Sequence, residues 1–124
     1  MTFPNHLCYT TEHEWLYIDG DIATVGVTTY AADSLGDIVF VELPAVGSSI
    51  VAGRPCGEIE STKSVSDLHA PVNGRIVETN QAVVDEPALI NADAFGTGWL
   101  FRVAYSAVPE LLDAATYDAL VGGS

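Results

Sequence analysis

Basic side chains are nearly absent. Lys63, Arg54, Arg75 and Arg102 are the only ones in 124 residues, against 17 acids, for a formal net charge of −13. Such a surface repels phosphate backbones, which excludes nucleic acid as a natural partner. It is steered instead toward basic patches on other proteins. Long apolar runs are missing too. None approaches the roughly 20 residues needed to span a bilayer, so no membrane partner is expected. With 48% hydrophobic and 17% charged residues, the chain has the material for a core and is not a disordered one. The stretch from Met1 to His6 has no basic region, no apolar stretch and no arginine, so it does not read as a secretory or transit peptide. The expected setting is the cytoplasm, or the mitochondrial matrix after removal of a leader. Cysteine is confined to Cys8 and Cys56, with no Cys-x-x-Cys and no histidine cluster at metal spacing. No metal is expected. A disulfide is disfavoured in a cytosolic setting, and Cys56 beside Gly57 reads as a small core residue.

What is present reads as one domain over residues 1–124, mainly β. Glu14 to Asp19 and Ile22 to Val27 are strand-like, joined by an Asp-Gly turn at Asp19-Gly20. Thr28 is placed to cap a short helix through Leu35, and Gly36 to end it. Gly36 to Leu43 is a dense strand stopped by Pro44, and Ile50-Val51 a short one. Pro71 to Gly74 reads as a turn and Arg75 to Asn80 as a strand. Asp85-Glu86-Pro87 opens a helical turn through Ile90. Trp99 to Ala104 is the last strand, and the core is expected within about 7–105. An Ala- and Leu-rich tail helix is expected over about 107–121, with Pro109 in its first turn, Glu110 and Asp113 near its start and Gly122-Gly123 beyond its end. Gly36-Asp37-Ile38-Val39 is echoed faintly by Gly74-Arg75-Ile76-Val77. Gly36, Gly57 and Gly74 are candidates for a positive φ or a close backbone approach.

The solitary lysine stands at the most suggestive place. Glu58-Ile59-Glu60 and Val65-Ser66-Asp67-Leu68 alternate as strands do, and Ser61 to Ser64 between them reads as a tight turn. Lys63 is therefore expected at an exposed hairpin tip. An ε-amine can act as a base, form a Schiff base or be acylated. Base and Schiff-base chemistry need a depressed pKa from burial or a neighbouring cation. The neighbours here are hydroxyls and the acids Glu60 and Asp67, so acylation by another enzyme fits best. A hydrolase built on Cys56 and a histidine finds no nucleophile motif.

The stretch Glu60-Ser61-Thr62-Lys63-Ser64-Val65-Ser66-Asp67-Leu68 resembles the lipoyl-lysine hairpin of the glycine cleavage H-protein family. Tyr9-Thr10-Thr11-Glu12-His13-Glu14-Trp15 is similar to that family's N-terminal signature, and Gly36 to Pro44 to its central strand. Ala70-Pro71-Val72-Asn73-Gly74, Leu89-Ile90-Asn91 and Gly98-Trp99-Leu100 follow in the family's order. The resemblance runs from about Leu7 to about Leu120. It implies a barrel-sandwich hybrid of the lipoyl- and biotinyl-carrier kind, with short helices and a C-terminal helix, two similar β halves meeting at the lysine hairpin.

It also implies a carrier rather than an enzyme, with lipoate as the cofactor, joined to Lys63 by an amide. The implied partners are a lipoate ligase or a lipoyl/octanoyl transferase, with Glu60 and Asp67 recognised by it, and the P, T and L proteins of glycine cleavage. The P protein decarboxylates glycine, the arm takes the aminomethyl group to the T protein, and the L protein reoxidises the dithiol. A monomer is expected. The loaded arm needs shelter from water, for which Glu14 is the leading carboxylate, followed by Asp67 and Glu12. Leu35, Ile59 and Ile90 are candidates for the apolar lining. The rival readings are a lipoyl carrier or lipoyl-relay paralogue outside glycine cleavage, a biotin carrier, and an unmodified binding protein of the same fold. Biotin carriers resemble Met-Lys-Met at the modified site, whereas Thr62 and Ser64 flank Lys63 here.

Overall fold

The computed structural model describes residues 3–122. Gly123, expected beyond the tail helix, lies outside them, as do Met1 and Thr2. The elements run β1 (Cys8–Tyr9), β2 (Glu14–Asp19), β3 (Ile22–Val27), α1 (Thr29–Leu35), β4 (Ile38–Glu42), β5 (Ser49–Ile50), β6 (Pro55–Ser61), β7 (Val65–His69), β8 (Asn73–Thr79), α2 (Gln81–Asp85), α3 (Ala88–Ala92), β9 (Phe101–Ala107) and α4 (Ala114–Leu120). Six strands form one sheet in the order β1-β2-β3-β9-β8-β5, and three form a second, β4-β6-β7. Every pairing is antiparallel.

The main core draws on both sheets: Leu16, Val25, Ile76 and Val103 from the large one, Ile38, Val41, Ile59 and Leu68 from the small one. Alternation along each strand puts these residues on one face. The two echoed segments use it alike, since Ile38 on β4 and Ile76 on β8 are both buried. A second, aromatic cluster gathers Phe3, Tyr9, Trp15 and Tyr117 around the tail helix. Tyr9 and Tyr117 stack with centroids 4.9 Å apart, and the Trp15 indole N–H donates to the Ala94 carbonyl at 2.9 Å.

Local chemistry sets several boundaries where they were expected. Thr28 accepts from the Ala31 amide at 3.2 Å and starts α1, and Gly36 at φ 83° ends it in the left-handed region that favours glycine. Two expectations need correction at Gly74 and Asn80. Asn73 and Gly74 already lie in β8, so the turn stops at Val72. Glycine is required at 74 by close approach instead, because a Cβ there would stand 2.5 Å from the Ala104 carbonyl oxygen. A Cβ at Gly57 would overlap the Glu42 carbonyl in the same way. Asn80 is not the end of a strand but the cap of α2: its side-chain oxygen accepts from the Ala82 amide at 3.2 Å. Its amide donates to the Thr97 and Trp99 carbonyls at 2.9 and 2.7 Å.

The largest correction is the start of the tail helix. It begins at Ala114, capped by Asp113, which accepts from the Thr116 amide at 2.8 Å. Residues 106 and 107 belong to β9, and Pro109 and Glu110 lie outside any helix. The reason is long-range: Leu112 bridges to Tyr9, exchanging backbone hydrogen bonds at 2.8 Å in both directions. An extended strap paired to β1 replaces the first turns that an Ala- and Pro-containing run suggests.

Candidate functional site

The lysine hairpin is braced from within by Ser61. Register partners Glu60 and Val65 close the ladder. The buried Ser61 hydroxyl oxygen accepts from the Lys63 and Ser64 amides at 3.2 and 3.1 Å, and the Ser61 amide donates to the Ser64 carbonyl at 2.8 Å. The turn is held without any contribution from the lysine side chain, which is exposed. The tip is also tied to the loop after α1, since the Thr62 amide donates to the Asp37 carbonyl at 3.1 Å. The stem of Lys63 lies along Gly36: a Cβ at position 36 would stand 3.0 Å from Lys63 Cε. That loop is itself pinned by Asn91 of α3. The Asn91 amide donates to the Gly36 carbonyl at 2.8 Å, while its oxygen accepts from the Ile38 amide at 2.9 Å.

A cleft of about 330 Å³ opens between the small sheet, α1 and the loop before β2. Leu35, Ile59, Val27 and Leu68 line it, together with Glu12, Glu14 and Asp67. Five of the six residues expected around the arm are thus brought together. Ile90 is not among them; it is fully buried in the main core, and α3 serves the site through Asn91 instead. Glu60 points elsewhere. It is exposed, in register with Phe40 on one side and Val65 on the other.

Glu14 is the one buried acid of the cleft, only 2% exposed. Its carboxylate accepts from the Thr10 hydroxyl at 3.1 Å and from the His69 amide at 3.0 Å. Burial pushes it up to about 8, further than these two hydrogen bonds pull it down, and Glu12 adds to the rise. Glu12 itself is exposed and stands 3.6 Å from His69 Nδ1. A second cleft of about 320 Å³, walled by Ala70, Pro71, Leu111 and Leu112, also reaches Glu12 and Glu14. The strap before α4 therefore closes the far side of the same acids.

The resemblance puts the Glu12-His13-Glu14-Trp15 block beside the hairpin, and His13 is indeed at the cleft; Thr10 and Tyr117 are parts of this site that the sequence reading does not single out. His13 lines the cleft at φ 68°, a left-handed conformation that a side-chain-bearing residue seldom adopts. Its backbone is pinned by the Thr10 carbonyl and the Thr28 amide, at 3.1 and 3.0 Å. Its Nδ1 lies 2.9 Å from the Tyr117 hydroxyl, which lies 2.8 Å from the Thr28 hydroxyl. Burial holds the His13 imidazole below its usual range. One buried tyrosine on the tail helix thus joins the loop before β2 to the cap of α1, two walls of the cleft. The only sequence signal was an aromatic residue in a small-residue helix. Tyr117→Phe is expected to lower unfolding free energy by about 1–3 kcal/mol, because buried partners lose their hydrogen bonds. Chemical denaturation of both proteins checks this, and equal midpoints would show that the hydroxyl braces nothing.

Other chemistry is poorly served. Cys8 and Cys56 are free thiols. Burial, with Glu14 adding to it, pushes the Cys56 thiol up to about 12, the reverse of what a nucleophile needs. Among the described residues no three His, Cys, Asp or Glu side chains are grouped to hold a metal ion, and no helix is long and apolar enough to cross a membrane.

Comparison with known proteins agrees with this geometry. The sequence profile of the family described as "Glycine cleavage H-protein" matches residues 7–122. A glycine cleavage system H protein of Beutenbergia cavernae is 56% identical over 123 residues, covering 99% of each chain. One from Clavibacter sepedonicus is 58% identical over 122 residues, covering 98% of this chain and 99% of its own. The crystal structure of a glycine cleavage system H protein from Mycobacterium marinum superimposes with a TM-score of 0.93 at 50% identity, covering 97% of this chain and 99% of that one. With a profile match over residues 7–122, half or more of the residues shared with each of these relatives and the same fold, the chain belongs to the glycine cleavage H-protein family.

Proposed function

We propose that this protein is the lipoyl-lysine carrier of glycine cleavage, with Lys63 as the attachment site and no catalysis of its own. The observation that carries the reading is the seating of the solitary lysine. It stands exposed on a braced tip, with its stem along Gly36, whose chain neighbour Leu35 lines a cleft that also contains a buried carboxylate.

The residues fit lipoate. The Lys63 amine forms the amide, and β6 and β7 hold it on a rigid post. Gly36 leaves room for the stem of the arm where a Cβ would crowd it. Leu35, Val27, Ile59 and Leu68 offer an apolar wall to its hydrocarbon part. When bound, lipoate supplies a disulfide that can be reduced and a thiol that can hold the one-carbon unit. The chain contributes the shelter: Glu14, with Asp67 and Glu12 nearer solvent, faces the cationic amine of that cargo.

The P and T proteins give up and receive the cargo, and the L protein takes the electrons. Tethering raises the effective concentration of the arm for all three. An amine does not form an amide with a free carboxylic acid until the acid is activated. A lipoate ligase or a lipoyl/octanoyl transferase therefore loads Lys63, with Glu60 and Asp67 as marks on either strand of the hairpin. The carrier works as a cytoplasmic monomer.

The test is reconstitution. Apoprotein treated with a lipoate ligase, lipoate and ATP should gain one lipoyl mass on the peptide containing Lys63. Combined with P, T and L proteins, glycine, tetrahydrofolate and NAD, it should then support NADH formation that the apoprotein does not. A fully lipoylated chain that supports none would overturn the reading.

A further inference from the structure

The outward face of the small sheet carries an uncovered apolar patch beside the hairpin tip. Phe40, Glu60 and Val65 are register partners across β4, β6 and β7, so their side chains stand in one row on one face. The register slips between Ile38 and Phe40, which leaves Val39 at a bulge and turned outward as well. Val39, Phe40 and Val65 are 50%, 49% and 57% exposed. The next row on the same face is Glu42, Glu58 and Asp67, and Asp37, just before β4, is exposed. Among the described residues none of these acids, nor Glu60, has an ion-pair partner. The result is an apolar centre with an unpaired acidic rim, reaching to within two residues of Lys63.

We propose that this patch is the docking surface for the enzyme that acylates Lys63, and that this enzyme presents an apolar seat edged with basic side chains. The inference rests on Lys63 being the attachment site. Acyl transfer requires the lysine nitrogen within about 3–3.5 Å of the activated carbonyl. The amide bond forms as the bond from the acyl carbon to its activating group breaks, the amine proton leaves, and nothing is oxidised or reduced. A bare lysine stem is short, so the acylating enzyme must close over the tip and the sheet face that continues from it. Partners that work on the loaded end meet it at the far end of a long arm and do not need this face. The acidic rim selects a basic edge and speeds encounter, while the apolar centre supplies what holds the complex together.

The test uses full-length apoprotein with a purified lipoate–protein ligase, lipoic acid and ATP, with initial rates read by intact mass. Phe40→Ser should lower kcat/KM for acylation about tenfold or more, mainly through KM. Val65→Thr keeps β-branching and strand preference, and should lower it in the same direction. Val77→Thr, also exposed but on the large sheet, should not change it. Once acylated to completion by long incubation, the Phe40→Ser protein should support glycine-dependent NADH formation at the parent rate. Acylation of Phe40→Ser and Val65→Thr within twofold of the parent would overturn the proposal. So would normal acylation with impaired NADH formation, because the face would then belong to the glycine enzymes. A parent chain that stays at its unmodified mass would overturn the carrier reading itself, a result distinct from either.

Discussion

Lys63→Arg is expected to fold as the parent does, to remain at its unmodified mass under acylating conditions, and to leave the glycine reaction at the level seen with no carrier added. The substitution keeps the charge and a stem of similar length for the contact with Gly36, but removes the acylatable amine. The turn does not depend on the lysine side chain, because Ser61 supplies the bonds that close it. Circular dichroism and melting temperature should therefore match the parent. A guanidinium stays protonated and is not an acyl acceptor. The parent, once loaded, loses one positive charge from a net of −13 and should migrate as a more acidic band. Normal glycine turnover by Lys63→Arg would place the attachment elsewhere and sink the carrier hypothesis.

The next largest effects are expected at Glu14, where stability and cargo retention share one cause. Its carboxyl is raised from an ordinary 4.5 to about 8, chiefly by burial. The folded protein thus holds the proton more tightly than the unfolded chain. Stability from this group is fully present below about 4.5 and is lost as pH rises through about 8. Melting temperature of the parent should fall across that window, by the equivalent of a few kcal/mol.

Glu14→Gln mimics the protonated acid and should flatten the fall. Glu12, His13, His69, Asp67 and Cys56 surround the group, and His13 slopes the other way. Its imidazole is held low, so its share of stability is lost as pH drops. Because His13 is common to both proteins, the difference between parent and Glu14→Gln isolates Glu14. Identical pH profiles would show that the carboxyl is not buried in solution.

On the proposed carrier role, the same burial makes Glu14 a counter-ion for the cargo: a cationic amine entering the cleft would replace the proton and release it to solvent. With lipoylated protein loaded with methylamine and no T protein present, Glu14→Ala is expected to release ammonia about tenfold faster than the parent, the worth of a charged hydrogen bond. Folding and acylation should stay intact. Equal release rates would mean that Glu14 does not anchor the cargo.

Much of the scaffold was legible because its causes are local. Thr28 and Gly36 bound α1 through a hydroxyl cap and a positive φ, both of which a short stretch of sequence announces. The lysine hairpin follows from alternation on either side of Ser61, Thr62, Lys63 and Ser64. The misreadings have the opposite character. Asn80 ends a strand in sequence but caps a helix in space, and α2 has only five residues, too few to show a period. The tail helix starts late because Leu112 pairs with Tyr9, a partner 103 positions earlier that no local pattern names.

The sequence by itself determined where the proposed attachment amine stands. Amide formation needs only an exposed amine on a stiff support, and both are written into residues 58–68. Only the tertiary structure decided what lines the cleft beside it. Glu14 is buried because β2, β7 and the strap before α4 meet over it, and it is satisfied by the backbone of His69, 55 positions away. The same packing sinks Ile90 into the core and brings Asn91 to the loop that seats the lysine. Burial and hydrogen bonding across such separations are properties of the closed sheets, and they turn one acid among seventeen into the one that holds its proton near neutral pH.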